Sequence, residues 1–160
     1  MIDVQINDAE VEAHFAELNR RLTDMSRPMQ DIALGLRDTT EDRFFQGVSP
    51  EGFAWAANTE ATLARKSDIR PLFGGSGAGL ALHSSIFANS GPDYAEVGTN
   101  KEQGAVMHYG AKKGAFGQTT DQVPIPFGDI PARPFLGLSE IDRTNIAETV
   151  REWLEDVEGS

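Results

Sequence analysis

The sequence predicts an α+β fold: N-terminal helices, a small antiparallel sheet, a Pro-anchored extended arm and a C-terminal helix. Three observations carry this reading. Apolar residues recur at helical spacing before residue 47 and again after residue 140. Two extended segments, residues 80–89 and 94–99, flank the turn Ser90-Gly91-Pro92-Asp93 as a hairpin would. Finally, residues 130–143 read IPARPFLGLSEIDR, where Pro131 and Pro134 hold the backbone extended and steer the residues before them away from the helical region.

In chain order, residues 1–6 alternate with Ile2, Val4 and Ile6 on one side, the pattern of a short strand. Asp8 is placed to cap a helix whose apolar stripe is Val11, Phe15, Leu18, Leu22 and Met25. Pro28 suits the first turn of a second helix, with Met29, Ile32, Leu36 and Phe44 facing inward and Gly47 ending it. Ser49-Pro50-Glu51-Gly52 is a turn, and the bulky Phe53 and Trp55 after it insert into a core or a partner. Asn58 and Thr59 cap a short helix that runs through Lys66.

GGSGAG at residues 74–79 reads as a flexible link, and residues 102–109 as a short helix closing at Gly110. Residues 110–122 (GAKKGAFGQTTDQ) are polar, glycine-rich and aperiodic, so a mobile loop ordered only against a partner is expected there. After the arm, Ser139 with Asp142 three residues on forms an N-cap with a carboxylate in the first turn. The helix over residues 140–157 then presents Ile146, Val150, Trp153 and Val157 as its inner stripe.

A chain of 160 residues and 17.4 kDa is expected to form one domain, residues 1–160. Its formal charge of −11 comes from 25 acidic residues against 14 basic ones. The basic residues stand in scattered pairs, not a stripe, which argues against a gripped nucleic acid. An acidic surface suits ordinary solubility first, and also a passage through which DNA slides without sticking. With no cysteine, disulfides and thiolate chemistry are excluded. No apolar run approaches the roughly 20 residues that span a bilayer, and no signal peptide is visible, so a soluble protein made in the cytoplasm is expected.

Motifs for catalysis fail on spacing. GGSGAG lacks the following Lys-Ser or Lys-Thr of a phosphate loop, and Ser76 is not in G-x-S-x-G because Ala78 stands at the last position. His14, His83 and His108 show no metal-ligand spacing. The carboxylate pairs Glu41–Asp42, Glu140–Asp142 and Glu155–Asp156 lie where helix faces and first turns account for them. No catalytic residue, cofactor or metal is expected. Arg133, held on a stiff arm between Ala132 and Pro134, is placed to pair with a carboxylate in its own subunit or in the next.

Several segments, in order, make the chain similar to one family: FFQGVSPEGFAWAANTEATLARKS with Pro50, Gly52 and Trp55, then GSGAGLALHSSI, EVGTN, AVMHYGA and IPARPFLGLSEID. They resemble the phage virion morphogenesis family, the tail-completion proteins of Mu-like and P2-like bacteriophages. The resemblance covers residues 44 to the C-terminus, with IPARPFLGLS as its most specific part; the GAKKGAFGQTTDQ insert departs from it. It implies a structural protein without catalytic residues, acting at the junction of head and tail. There it would form a ring, commonly six-fold, between the tail tube and the head connector. DNA would pass without specific binding, no membrane would be involved, and the protein would move from the host cytoplasm into the virion.

A ring needs contacts between unlike surfaces of neighbouring subunits. Arg133, Phe135 and Leu136 on the arm, and Lys112, Lys113 and Phe116 in the loop, are the candidate interface residues. Phe135→Asp is therefore expected to leave a folded protomer that cannot assemble. The alternatives are a head-side factor for capsid or connector morphogenesis, a small hydrolase acting on cell wall or prohead, and a monomeric binding module.

Overall fold

The computed structural model describes residues 8–66, 68–73 and 81–158. The strand expected at residues 1–6 and the GGSGAG link lie outside them. The elements are α1 (Asp8–Thr23), α2 (Ser26–Gln46), α3 (Glu60–Leu63), β1 (Ile86–Ser90), β2 (Ala95–Thr99), α4 (Gln103–Tyr109) and α5 (Glu140–Glu158). Helices around one small antiparallel hairpin, with a helix last, make the α+β arrangement the sequence predicts.

The centre is α2. It buries Pro28, Ile32, Ala33, Leu36, Thr40, Arg43 and Phe44, a helical stripe that packs on the β1–β2 hairpin and on α5. It ends where expected, with the Gly47 N–H returning to the Arg43 carbonyl at 2.7 Å. The hairpin pairs Ile86 with Thr99 through Ser90 with Ala95, and the Gly91 N–H closes the turn on the Tyr94 carbonyl at 2.9 Å. Strand alternation turns Ile86 into the core and Phe87 outward. The Met25 N–H donates to the Pro92 carbonyl at 3.0 Å, tying the α1–α2 junction to the hairpin turn.

The core cluster joins distant parts of the chain: Phe44, Trp55, Leu82, Ile86 and Phe135, flanked by Leu72, Phe73, Val97, Met107 and Leu136. Phe44 meets Trp55 edge-on at 5.5 Å and Phe135 at 5.2 Å between ring centroids. The pair after the turn thus divides: Trp55 enters the core, whereas Phe53 is exposed.

Two expectations are corrected. The helical period of α1 is right, but its stripe is not covered: Phe15 is 63% exposed, and Val11 and Leu22 are also exposed. Its one substantial neighbour is α5, which it touches lightly. Residues 110–122, expected to be a mobile loop, fold instead as one side of a hydrogen-bonded tongue. Ala111 and Ile130 exchange N–H···O bonds at 2.9 and 2.7 Å. Farther out, Phe116 N–H donates to the Ile125 carbonyl and Ile125 N–H to the Gly117 carbonyl, both at 2.8 Å. The polar composition hid this pairing, because these bonds are made by backbone and leave no side-chain periodicity to read.

Candidate assembly surface

The arm is a strap through the protomer. From one side the Trp55 Nε1–H donates to the Pro134 carbonyl at 2.8 Å. From the other, the Met107 carbonyl in α4 accepts the Arg133 N–H at 2.9 Å, and His108 Nδ1 accepts the Phe135 N–H at 3.4 Å. That bond leaves the His108 proton on Nε2, and burial holds the ring's pKa below the ordinary histidine value. Gly110 seats α4 against the arm. Its φ is +76°, and a Cβ there would lie 2.7 Å from the Ile130 oxygen and 2.8 Å from the Ala132 nitrogen.

Arg133 and Phe135, expected at a subunit contact, are turned inward. Among the described residues the Arg133 guanidinium makes no carboxylate pair: Nε–H donates to the Ala56 carbonyl at 2.8 Å and Nη2–H to that of Ala57 at 3.1 Å. Burial depresses its pKa. Phe135 has 0% of its surface exposed, so its ring has nothing to offer a neighbour. This corrects the expectation for Phe135→Asp, because a carboxylate in that core has no partner and the loss falls on folding itself. Leu136 is half-buried against the same cluster.

Sequence reasoning missed the second half of the joint. Arg43 of α2 forms a buried ion pair with Asp142 of α5 and donates through Nη1 to the Gly137 carbonyl at 2.9 Å and that of Phe135 at 3.2 Å. Asp142 also accepts from the Ser139 N–H and hydroxyl, each at 2.8 Å, while the Ser139 hydroxyl accepts the Asp142 N–H at 3.1 Å. The predicted cap is present in this reciprocal form. Burial alone would raise the Asp142 pKa; bonds from Ser139 and Thr39, and the Arg43 charge, outweigh it and hold the carboxyl below its ordinary value. Only the cap was legible in sequence, since Arg43 is 99 residues away.

What faces outward is the tongue. Lys112 is exposed and pairs with Asp129 at 2.9 Å; Lys113 is exposed and donates its backbone N–H to the same carboxylate at 2.9 Å. Phe116 is 56% exposed, Phe127 73% and Tyr109, at the tongue's base, 79%. Beside the tongue lies an open groove of about 1170 Å³. Its walls are Ala61, Thr62 and Arg65 on one side and residues 126–131 on the other; Leu72, Leu82 and Met107 also line it.

Among the described residues no group of three or more His, Asp or Glu is gathered that could hold a metal ion. Nor is any helix there long and apolar enough to cross a membrane. The groove's titratable groups are Arg65, Lys66, Asp68, Asp129 and Arg133; Asp68 pairs with Arg70 and Asp129 with Lys112. What the geometry offers is apolar surface on a braced scaffold.

The profile of the phage virion morphogenesis family matches residues 6–155, and the chain belongs to that family. The chain is 28% identical over 156 residues to "Putative capsid assembly protein G" of Escherichia phage Mu, covering 94% of this chain and 92% of the Mu protein. No solved structure matches. Trp55, His108, Pro134 and Phe135, which lie in the segments quoted for the resemblance, meet in the strap.

Proposed function

We propose that this member of the phage virion morphogenesis family, a protein of phage assembly, acts at the head–tail neck. There it completes or terminates the tail as a homo-oligomeric ring of six-fold type, between tail tube and head connector. The observation that carries this reading is the tongue, where exposed Phe116 and Phe127 stand on a hydrogen-bonded backbone beside a tightly strapped core. Aromatic side chains left in water on a rigid projection are suited to burial in a partner. The role needs contact and placement, with no bond made or broken, and the net charge of −11 lets DNA pass through the ring without binding. In the assembled state Lys112, Lys113 and Phe116 lie at the neighbour or lumen side, while Leu136 backs the contact.

The test is Phe116→Asp with Phe127→Asp. The double variant should keep its far-ultraviolet spectrum and melting temperature, because both side chains are exposed, and should fail to join tail tubes. Normal incorporation into particles would remove the tongue from the contact. A second reading is favoured by the Mu relative's name, which speaks of capsid assembly. On that reading the chain assists head or connector assembly and leaves. Its presence in purified virions at the neck's copy number supports the first reading, and its absence the second.

A further inference from the structure

Two surfaces of this chain are left without partners in the protomer, and they are complementary. The first is the apolar face of α1, with Val11, Phe15 and Leu22 exposed. Its charge leans acidic: Asp8, Glu10, Glu12 and Glu17 precede Arg20 and Arg21 on α1, and Arg20 pairs with Glu17 at 2.7 Å. Glu12 and Asn19 flank the stripe by helical spacing.

The second is the groove between α3 and the base of the tongue. At about 1170 Å³ it exceeds the roughly 300–1,000 Å³ of small-molecule pockets. Leu72, Leu82 and Met107 give it apolar lining, and the cations Arg65, Lys66 and Arg133 border it. Among the described residues none of the three forms an ion pair, although Lys66 also feels the nearby Asp68 carboxylate. Lys66 donates to the Arg70 carbonyl and Arg133 to the carbonyls of Ala56 and Ala57, all neutral acceptors. The two carboxylates that share the groove are already engaged: Asp68 with Arg70, and Asp129 with Lys112. In a protein of charge −11 this is a cationic apolar trough, and an acidic amphipathic helix is the ligand class that fits it.

We propose that α1 of one copy docks with its apolar face in the α3–tongue groove of a second copy, its acidic flank against Arg65 and Lys66. No α1 residue lines the groove of its own protomer. The contact joins unlike surfaces, so head-to-tail repetition gives a closed ring or a filament. The proposal rests on the assembly reading above and names the contact that reading needs.

The absence of cysteine makes the test clean. Asn19→Cys on α1 and Ala61→Cys in the groove wall, combined in the full chain, are treated with a short bis-maleimide, alone and with tail tubes. A ladder at multiples of 17.4 kDa is expected, each single variant alone giving monomer and the two singles mixed giving dimer only. Adding Arg65→Glu and Lys66→Glu should cut the ladder at least tenfold, with partial return when Glu12→Lys is placed on the same chain. Three results overturn the proposal: a link within one chain, an Asn19→Cys dimer by itself, or no cross-link in either sample. Failure is separable from that of the neck role. No ladder with normal virion incorporation refutes this contact alone; a ladder with no incorporation refutes the neck alone.

Discussion

Asp142→Asn is the sharpest probe of what holds the strap. The substitution keeps shape and removes charge at a site where the Arg43 and Asp142 side chains are 6% and 1% exposed. Arg43 then keeps two carbonyl acceptors, Phe135 and Gly137, and loses its hydrogen-bonded counter-charge. Removing one partner of a buried pair costs about 3–5 kcal/mol, because the other charge stays desolvated. Against a total stability of about 5–15 kcal/mol that is a large share. With a urea slope near 2 kcal/mol/M, the unfolding midpoint should fall by about 2 M with the slope unchanged. A companion variant, Arg43→Met with Asp142→Leu, removes both charges but leaves the Phe135 and Gly137 carbonyls without their donor. It should lose less than the single variant, the non-additivity expected of one network. The reasoning fails if Asp142→Asn moves the midpoint by under half a molar, or if the double variant is the weaker of the two.

Three further outcomes are expected. Acidification should destabilise the protomer in two stages. His108 and Asp142 both have pKa values lowered in the folded state, so each stabilises above its unfolded value and loses that contribution as pH falls. Melting temperature should therefore decline below about pH 6.5 through His108 and again below about pH 4 through Asp142; His108→Gln should flatten the first stage, and an unchanged first stage refutes its assignment. Phe135→Ala should cost about 3–5 kcal/mol in urea unfolding, and Phe135→Asp should yield no folded protomer by circular dichroism; a folded Phe135→Asp monomer would return the residue to the interface. Gly110→Ala, strained by both φ and the Ile130 contact, should cost more than about 1 kcal/mol and speed amide exchange at Ala111 and Ile130; an unchanged exchange rate would show that α4 can shift freely.

Local signals were read from sequence with little loss. Helix periods, the Gly47 stop, the Thr59 cap, the hairpin and the Ser139–Asp142 cap depend on residues within a few positions of one another and are present. The helix expected through Lys66, however, ends at Leu63. Within the segment expected to be extended over residues 80–89, His83–Ser85 form a 3-10 turn before the strand begins at Ile86. The candidate interface fared differently because burial is decided by distant chain. The apolar run Phe135-Leu136 looks the same in sequence whether it meets a neighbour or its own core. Only the arrival of Phe44, Trp55 and α4 around it shows which. The converse holds for α1, whose stripe has the right period for burial but leaves Val11, Phe15 and Leu22 exposed, with a light contact to α5 among the described residues.

What the sequence determined by itself was the class and the character of the protein: an acidic, cysteine-free α+β chain, without a catalytic motif, similar to a phage morphogenesis family. Composition and short-range pattern suffice for that, because propensity, capping and turn chemistry act over a turn or two. What the tertiary structure alone decided was which surfaces are spent and which are left. The Arg43–Asp142 pair and the Trp55–Pro134 bond span 99 and 79 residues, and no local pattern encodes such meetings. They turn the arm into an internal strap and leave α1, the groove and the tongue facing water.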